Sequence, residues 1–260
     1  MKKNTEKVWD SVWADPHLQS NHKLIVAAEE QTIRWQKISN IVNRELGGFN
    51  GLSVLEIGSG TGTYAALMAK HGADVTLLDY SPIALERAQI FFKSLGLKAR
   101  FVKGDAFALP TEVTKKKFDI AISIGLTEHF KGRKRVEINK VHLDVLKKGG
   151  LAIISVPNTY NPPYFVYKII STWLGSWKFG EEYSYTRSEL LAIAKMIRGK
   201  VLALFGDGLY SSFKFILPAN FLRRFFGVGF PRNFLEIRKE IASPLDDYLS
   251  YSLILVLKKP

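Results

Sequence analysis

Three glycines at alternate positions, Gly58, Gly60 and Gly62, follow an apolar run that starts at Val54. Glycine lets a backbone turn sharply and approach a ligand closely. A helical stretch comes next, and its first turn adds free N–H groups beside the glycines and the intervening Ser59. Two ligand chemistries use such a turn. A dinucleotide fingerprint needs the spacing G-x-G-x-x-G, and here Thr63 stands where its third glycine belongs. Glu56 lies two residues ahead of the first glycine. An acid at that point suits a cationic ligand better than a pyrophosphate.

Further acids fall at the ends of later apolar runs. Asp79, followed by Tyr80, closes Leu77-Leu78 and can accept hydrogen bonds from both hydroxyls of a ribose. It also reads as a helix-start acid beside Ser81. In Gly104-Asp105-Ala106-Phe107, the Asp105 carboxylate can take an adenine amino hydrogen while Ala106 donates its backbone N–H. The same residues read as an ordinary Asp-containing turn. Ile124 and Gly125 end a fourth run, and Glu128 and His129 follow. His129 has the pKa range and the position of a general base, and equally those of a histidine that packs or touches a cofactor. Glu128 carries the same two readings. No two His, Asp or Glu positions show metal-ligand spacing, so no metal is expected.

These residues need elements to hold them. Leu24, Ala28, Trp35, Ile38, Val42 and Leu46 recur at helical spacing and predict one amphipathic helix over residues 20–46, ended by Gly47-Gly48. Strands are expected at Leu52–Ile57, Asp74–Leu78, Ala99–Lys103, Phe118–Ile124, Leu151–Val156, Lys200–Phe205 and Tyr251–Leu257. Helices fall between them at Tyr64–His71, from Ser81-Pro82 to Leu95, at Arg133–Leu146 and after the capping box Thr186-Arg187-Ser188-Glu189. Strands alternating with helices predict an α/β fold: a mostly parallel sheet covered on both faces. Ligands of such sheets sit at the carboxyl ends of the strands, where every polar signal above falls.

The runs VLEIGSGTG, LLDYSP, KGDAFALP, FDIAISIGLTEHF and KKGGLAIISVPN, from about Gly51 to Asn158, together resemble the class I methyltransferases. Within that class they are similar to the ubiquinone/menaquinone-type small-molecule group. The resemblance implies a Rossmann-like seven-stranded sheet whose last strand runs antiparallel. It implies S-adenosylmethionine as cofactor and S-adenosylhomocysteine as product. Gly58, Ser59, Gly60 and Gly62 would then lie against the cofactor, with Glu56 near its amino-acid end. Asp79 and Tyr80 would meet the ribose, Asp105 and Ala106 the adenine, with Ile124 and Gly125 beside them. Asn161-Pro162-Pro163-Tyr164 matches a tetrapeptide of methyltransferases that act on adenine N6 or glutamine amides. There it directly follows the fourth strand; here it follows the fifth and reads as a chance match in a Pro-rich loop.

The chain has 260 residues, 47% of them hydrophobic, and no cysteine. That content supports one core, and the expected division is a single methyltransferase domain over 1–260. Within it, 1–50 form a helical cap, 51–158 the cofactor-binding core, and 159–260 the remaining sheet with its insertions. Disulfides, Cys-ligated zinc and a Cys nucleophile are excluded. The basic start is followed by no apolar signal region, and a cytoplasmic location is expected.

The net charge is +13. A basic face attracts nucleic acid, anionic lipid or an acidic small molecule, and is also what an ordinary solvated surface looks like. Two aromatic segments exceed what the sheet needs, Thr159–Tyr185 and Ser211–Leu249. They read as substrate walls for a hydrophobic or anionic small-molecule acceptor, as a peripheral membrane contact, or as extra core. Tyr160 and Tyr164 in the first segment, and Trp13 near the start, are the candidate substrate contacts. Trp9 and Trp13, four apart, share a helix face. The expected activity is methyl transfer to an O, N or C nucleophile. An RNA methyltransferase, a nicotinamide-dependent oxidoreductase and a non-catalytic binding module are the alternatives. Monomer and homodimer both remain open.

Overall fold

The computed structural model describes residues 4–15, 22–215 and 242–260. Three helices come first: α1 at Glu6–Trp13, α2 at His22–Glu30 and α3 at Ile33–Leu46. The single helix expected over 20–46 is therefore two. Thr32 is the reason: its backbone is extended, at φ −70° and ψ 150°, and its hydroxyl accepts the Trp35 N–H, so one helix stops and the next is capped.

The alternating part then runs β1 Ser53–Ile57, α4 Thr63–Lys70, β2 Asp74–Asp79, α5 Pro82–Leu95, β3 Arg100–Lys103, α6 Thr111–Thr114, β4 Phe118–Ile124, α7 Arg133–Asp144 and β5 Leu146–Pro157. After it come α8 Pro162–Trp173, α9 Arg187–Met196, β6 Lys200–Asp207 and β7 Ser252–Lys258. The caps read from the sequence form: Ser81 Oγ accepts the Ala84 N–H at 3.2 Å, and Thr186 Oγ1 accepts that of Glu189 at 3.1 Å. β5 is longer than its apolar run. Lys147 to Gly150 extend it past a register shift against β4, Gly149 and Gly150 bonding to the Lys259 backbone and Lys147 held on Asp119 at 2.8 Å.

The seven strands lie in the order β3-β2-β1-β4-β5-β7-β6. β7 pairs antiparallel with both β5 and β6, and the others run parallel, as the resemblance implied. β1 is buried at every position, so it reads as a continuous apolar run rather than an alternating one. One core packs Ile38, Val42, Leu67, Met68, Leu77 and Phe92 on one face. The other packs Leu55, Ile57, Ala121, Leu143, Ile154 and Leu190. Each such Val, Leu, Ile, Met or Phe side chain contributes about 1.5–3 kcal/mol by burial. The chain leaves β1 toward β2 and β3 on one side, then crosses to β4 on the other. That reversal opens a crevice at the carboxyl ends of β1 and β4. Among the described residues no helix is long and apolar enough to cross a membrane.

Candidate cofactor and acceptor site

A cavity of about 600 Å³ occupies that crevice. It falls within the size range of small-molecule sites. Its floor is the glycine turn. The N–H groups of Gly58 and Ser59 both donate to the Leu78 carbonyl, at 2.8 and 3.1 Å, which ties the turn to the end of β2. Gly58, Ser59 and Gly60 line the cavity. The Ser59 hydroxyl is buried there without a partner in the protein, a vacancy of the kind a ligand satisfies.

Gly62 and Glu56 do not reach the wall. Gly62 caps α4 at φ +75° and faces the core, where a Cβ would stand 2.2 Å from Leu77 Cδ2. Glu56 turns to the same helix: its Oε2 accepts the Ala65 N–H at 2.8 Å. Burial pushes its carboxyl up to about 8, and the nearby Asp79 adds to the rise. Both brace the glycine turn from behind.

Asp79, with Tyr80 beside it, does line the cavity. Its two oxygens accept the N–H groups of Gly60 at 2.8 Å and Ser81 at 2.9 Å. A carboxylate has about four acceptor sites, so acceptor capacity remains for a hydroxyl. Burial raises its pKa, and those backbone bonds pull it down. Asp105 and Ala106 follow at the end of β3, on the wall, with Asp105 Oδ1 accepting the Phe107 N–H at 2.9 Å. The Asp turn itself therefore borders the cavity. Ile124 and Gly125 line it from β4.

The far side is aromatic. Tyr164, Tyr167, Trp177, Phe215 and Tyr251 surround it, with ring centroids 4.8 to 6.3 Å apart. Asn161 explains the NPPY sequence: its side chain caps α8 through the Tyr164 N–H at 2.9 Å, and the two prolines open the helix. Tyr164 lies on the wall, whereas Tyr160 is 59% exposed and away from it. The second insertion falls mostly at 216–241, outside the described residues.

His129 is buried on the wall. Its Nδ1 meets the Glu181 carbonyl at 2.8 Å, its ring packs edge-on to Trp9 at 4.7 Å, and burial lowers its pKa. α1 roofs the cavity. Trp9 and Trp13 both line it, Asp10 accepts the Ser81 hydroxyl at 2.5 Å, and Asn4 Nδ2 donates to the carbonyls of His129 and Glu181. Sequence reasoning missed Asn4, Lys134, Glu182 and Tyr251 on the wall. Glu182 had one available signal, an acidic pair with Glu181 inside an otherwise aromatic and basic insertion. Among the described residues no group of three or more His, Asp or Glu could hold a metal ion.

Residues 54–150 match the family model described as a methyltransferase domain. The sheet around that segment has the class I methyltransferase fold. Two solved structures share it over nearly the whole chain. Magnesium protoporphyrin IX methyltransferase from Synechocystis PCC 6803, with bound SAH, has TM-score 0.60 and 16% identity over 98% of this chain and 94% of that one. A S-adenosylmethionine-dependent methyltransferase from Clostridium acetobutylicum ATCC 824 has TM-score 0.57 and 14% identity over 98% and 99%. Among sequence relatives, a ubiquinone biosynthesis O-methyltransferase from Rickettsia conorii is 26% identical over 166 residues, 64% of this chain. The match spans 52% of that relative, so this chain corresponds to about half its length. The resemblance to class I methyltransferases read from the sequence is upheld.

Proposed function

We propose that this protein transfers a methyl group from S-adenosylmethionine to a hydroxyl of a small, largely apolar acceptor, leaving S-adenosylhomocysteine. One observation carries the reading. The glycine turn, Asp79 and Asp105 share a single cavity with a wall of aromatic rings, so a nucleoside cofactor and an apolar acceptor would meet in it. The donor set suits the cofactor: carboxylates for the ribose hydroxyls and adenine amino group, an unpartnered Ser59 hydroxyl, and an acidic interior for a cation. When bound, S-adenosylmethionine supplies an electrophilic methyl group. The chain itself aligns the acceptor and keeps water out, through the roof of α1 and the aromatic wall.

Transfer to oxygen is supported by the names of the curated relatives, which are O-methyltransferases. The anionic acceptor expected from the basic insertions has less support, because the buried ionisable groups at the aromatic end of the wall include Glu128 and Glu182. A peripheral membrane contact is supported by Phe165, Ile169 and Trp173, exposed along one face of α8. A cytoplasmic location is in keeping with the lack of cysteine. We take the whole chain as one domain. Incubation with methyl-labelled S-adenosylmethionine and fractionated extract tests the reaction. Label in organic-soluble small molecules is expected; label only in RNA would replace this reading with the nucleic-acid one.

A further inference from the structure

Two buried carboxyls, Glu128 and Glu182, line the same cavity and interact electrostatically, and only Glu182 has both oxygens partnered by side chains. Glu182 accepts Lys168 Nζ at 3.0 Å and the Tyr164 hydroxyl at 2.7 Å. Glu128 sits on the short turn Thr127–His129 after β4. Its backbone carbonyl accepts the Tyr183 N–H at 2.7 Å, which pins the turn against the segment carrying Glu182. Its side chain is 3% exposed, lies on the cavity wall, and leaves Oε2 shut from solvent without a partner in the protein.

A buried carboxylate with one oxygen unpartnered, beside a second acid, is costly to ionise. Burial foremost, and then Glu182, drive Glu128 well above the usual carboxylate range; its own backbone N–H, then Arg135 from α7 and Lys168 from α8, pull the other way. Tyr164 and Tyr251, which with Tyr167 bring phenol groups to this side, are both driven upward by burial. They stay neutral. Burial and the neighbouring Glu182 therefore both favour the protonated form of the Glu128 carboxyl. A cation entering the same cavity favours its ionised form.

His129 is the other candidate, and its ring is engaged. Nδ1 is taken by the Glu181 carbonyl at 2.8 Å, and the Gly125 carbonyl also bears on the ring. Asn4 binds the carbonyls of both His129 and Glu181, so this histidine fastens α1 to the Glu181-Glu182 segment.

Resting on the methyltransferase reading, we propose that Glu128 is the group that takes the acceptor's proton, with Glu182 and His129 as positioning residues. The acceptor O–H bond breaks and its oxygen forms the new O–CH₃ bond. The methyl–sulfur bond breaks with its electron pair left on sulfur, and the proton goes to the Glu128 carboxylate. Lys168 and Tyr164 keep Glu182 in place as the anion that raises the proton affinity of Glu128.

The test uses the two cofactor forms as probes, because only S-adenosylmethionine carries the sulfonium charge. Titration calorimetry of the full chain near pH 7, in phosphate and in Tris, gives the protons released on binding. S-adenosylmethionine is expected to release more than S-adenosylhomocysteine, by up to one proton. Glu128→Gln is expected to bind S-adenosylhomocysteine within a few-fold of wild type and to lose that difference. Glu56→Gln and His129→Asn are expected to keep it. If Glu128→Gln keeps the difference, or wild type lacks it, the assignment of Glu128 is overturned. If wild type binds neither compound, the cofactor reading itself falls. Should Glu128→Gln bind neither, Glu182→Gln decides: the pH of greatest release moves down if Glu182 sets the Glu128 proton affinity, and an unmoved maximum overturns the proposal.

Discussion

The indole of Trp13 lies against the backbone of Gly60: a Cβ built on that glycine would stand 2.5 Å from Trp13 Cζ2 and Cη2. The roof and floor of the cavity thus meet at one point, and a side chain there would part them. α1 is held in that position from outside by Lys103 on Glu6 at 3.0 Å and by Lys178 on Asp15 at 2.7 Å. Such exposed pairs are each worth about 0–1 kcal/mol, so the aromatic packing dominates the attachment.

Gly60→Ala tests that contact. The position has φ +53°, a strain of about 1–2 kcal/mol for any residue with a Cβ, and the clash with Trp13 adds to it. Cofactor affinity should fall by tenfold or more and the melting temperature by several degrees. Trp13→Ala in the same chain should relieve the clash but not the backbone strain. The double variant is then more stable than the sum of the single losses, read from urea midpoints in a double-mutant cycle.

His142 makes stability fall in acid. Its ring is buried between the Ser123 hydroxyl and the Ile138 carbonyl, each 2.9 Å away, and burial pushes its pKa down to about 4. The unfolded chain, with histidine near 6.5, binds the proton first. Stability from this group is complete above pH 6.5 and is lost as pH falls toward 4, by about 2 kcal/mol between pH 6.5 and 5. His142→Gln should flatten that slope in denaturant titrations.

Glu56 acts in the opposite direction. Its carboxyl holds a proton up to about pH 8 in the folded protein, while the unfolded group releases it near 4.5. The folded state binds more protons across that window, so this contribution is full below pH 4.5 and fades as pH rises through 8. Between pH 5 and 7 the loss is about 3 kcal/mol. Glu56→Gln keeps an acceptor for the Ala65 N–H and should remove the decline. Because the two slopes oppose between pH 5 and 6.5, each single variant should shift the wild-type slope there in the opposite direction to the other.

The sheet and the cavity floor were legible because both are local. Apolar runs set the strands, Ser81-Pro82 and Thr186 set helix starts, and the acids fall at strand ends. What the sequence did not display is long-range or hidden by burial on both sides. β1 is buried throughout, so no alternation tells which way Glu56 points, and its Oε2 turns to the Ala65 N–H of α4. Gly62 serves the core for the same reason. The break at Thr32 depends on a cap inside a periodic apolar stripe. Glu182 reaches the site from 54 residues beyond Glu128 by way of Lys168 and Tyr164, a relationship no spacing displays. Tyr160 shares the insertion with Tyr164, yet only the second falls on the buried face of α8.

The central claim is that this cavity holds S-adenosylmethionine. Titration calorimetry of the purified chain with S-adenosylmethionine, S-adenosylhomocysteine and NADH tests it most directly. Micromolar binding of both sulfur compounds with none for NADH is the result expected from the glycine turn, Asp79 and Asp105. Binding of NADH alone would contradict it and return the crevice to a dinucleotide.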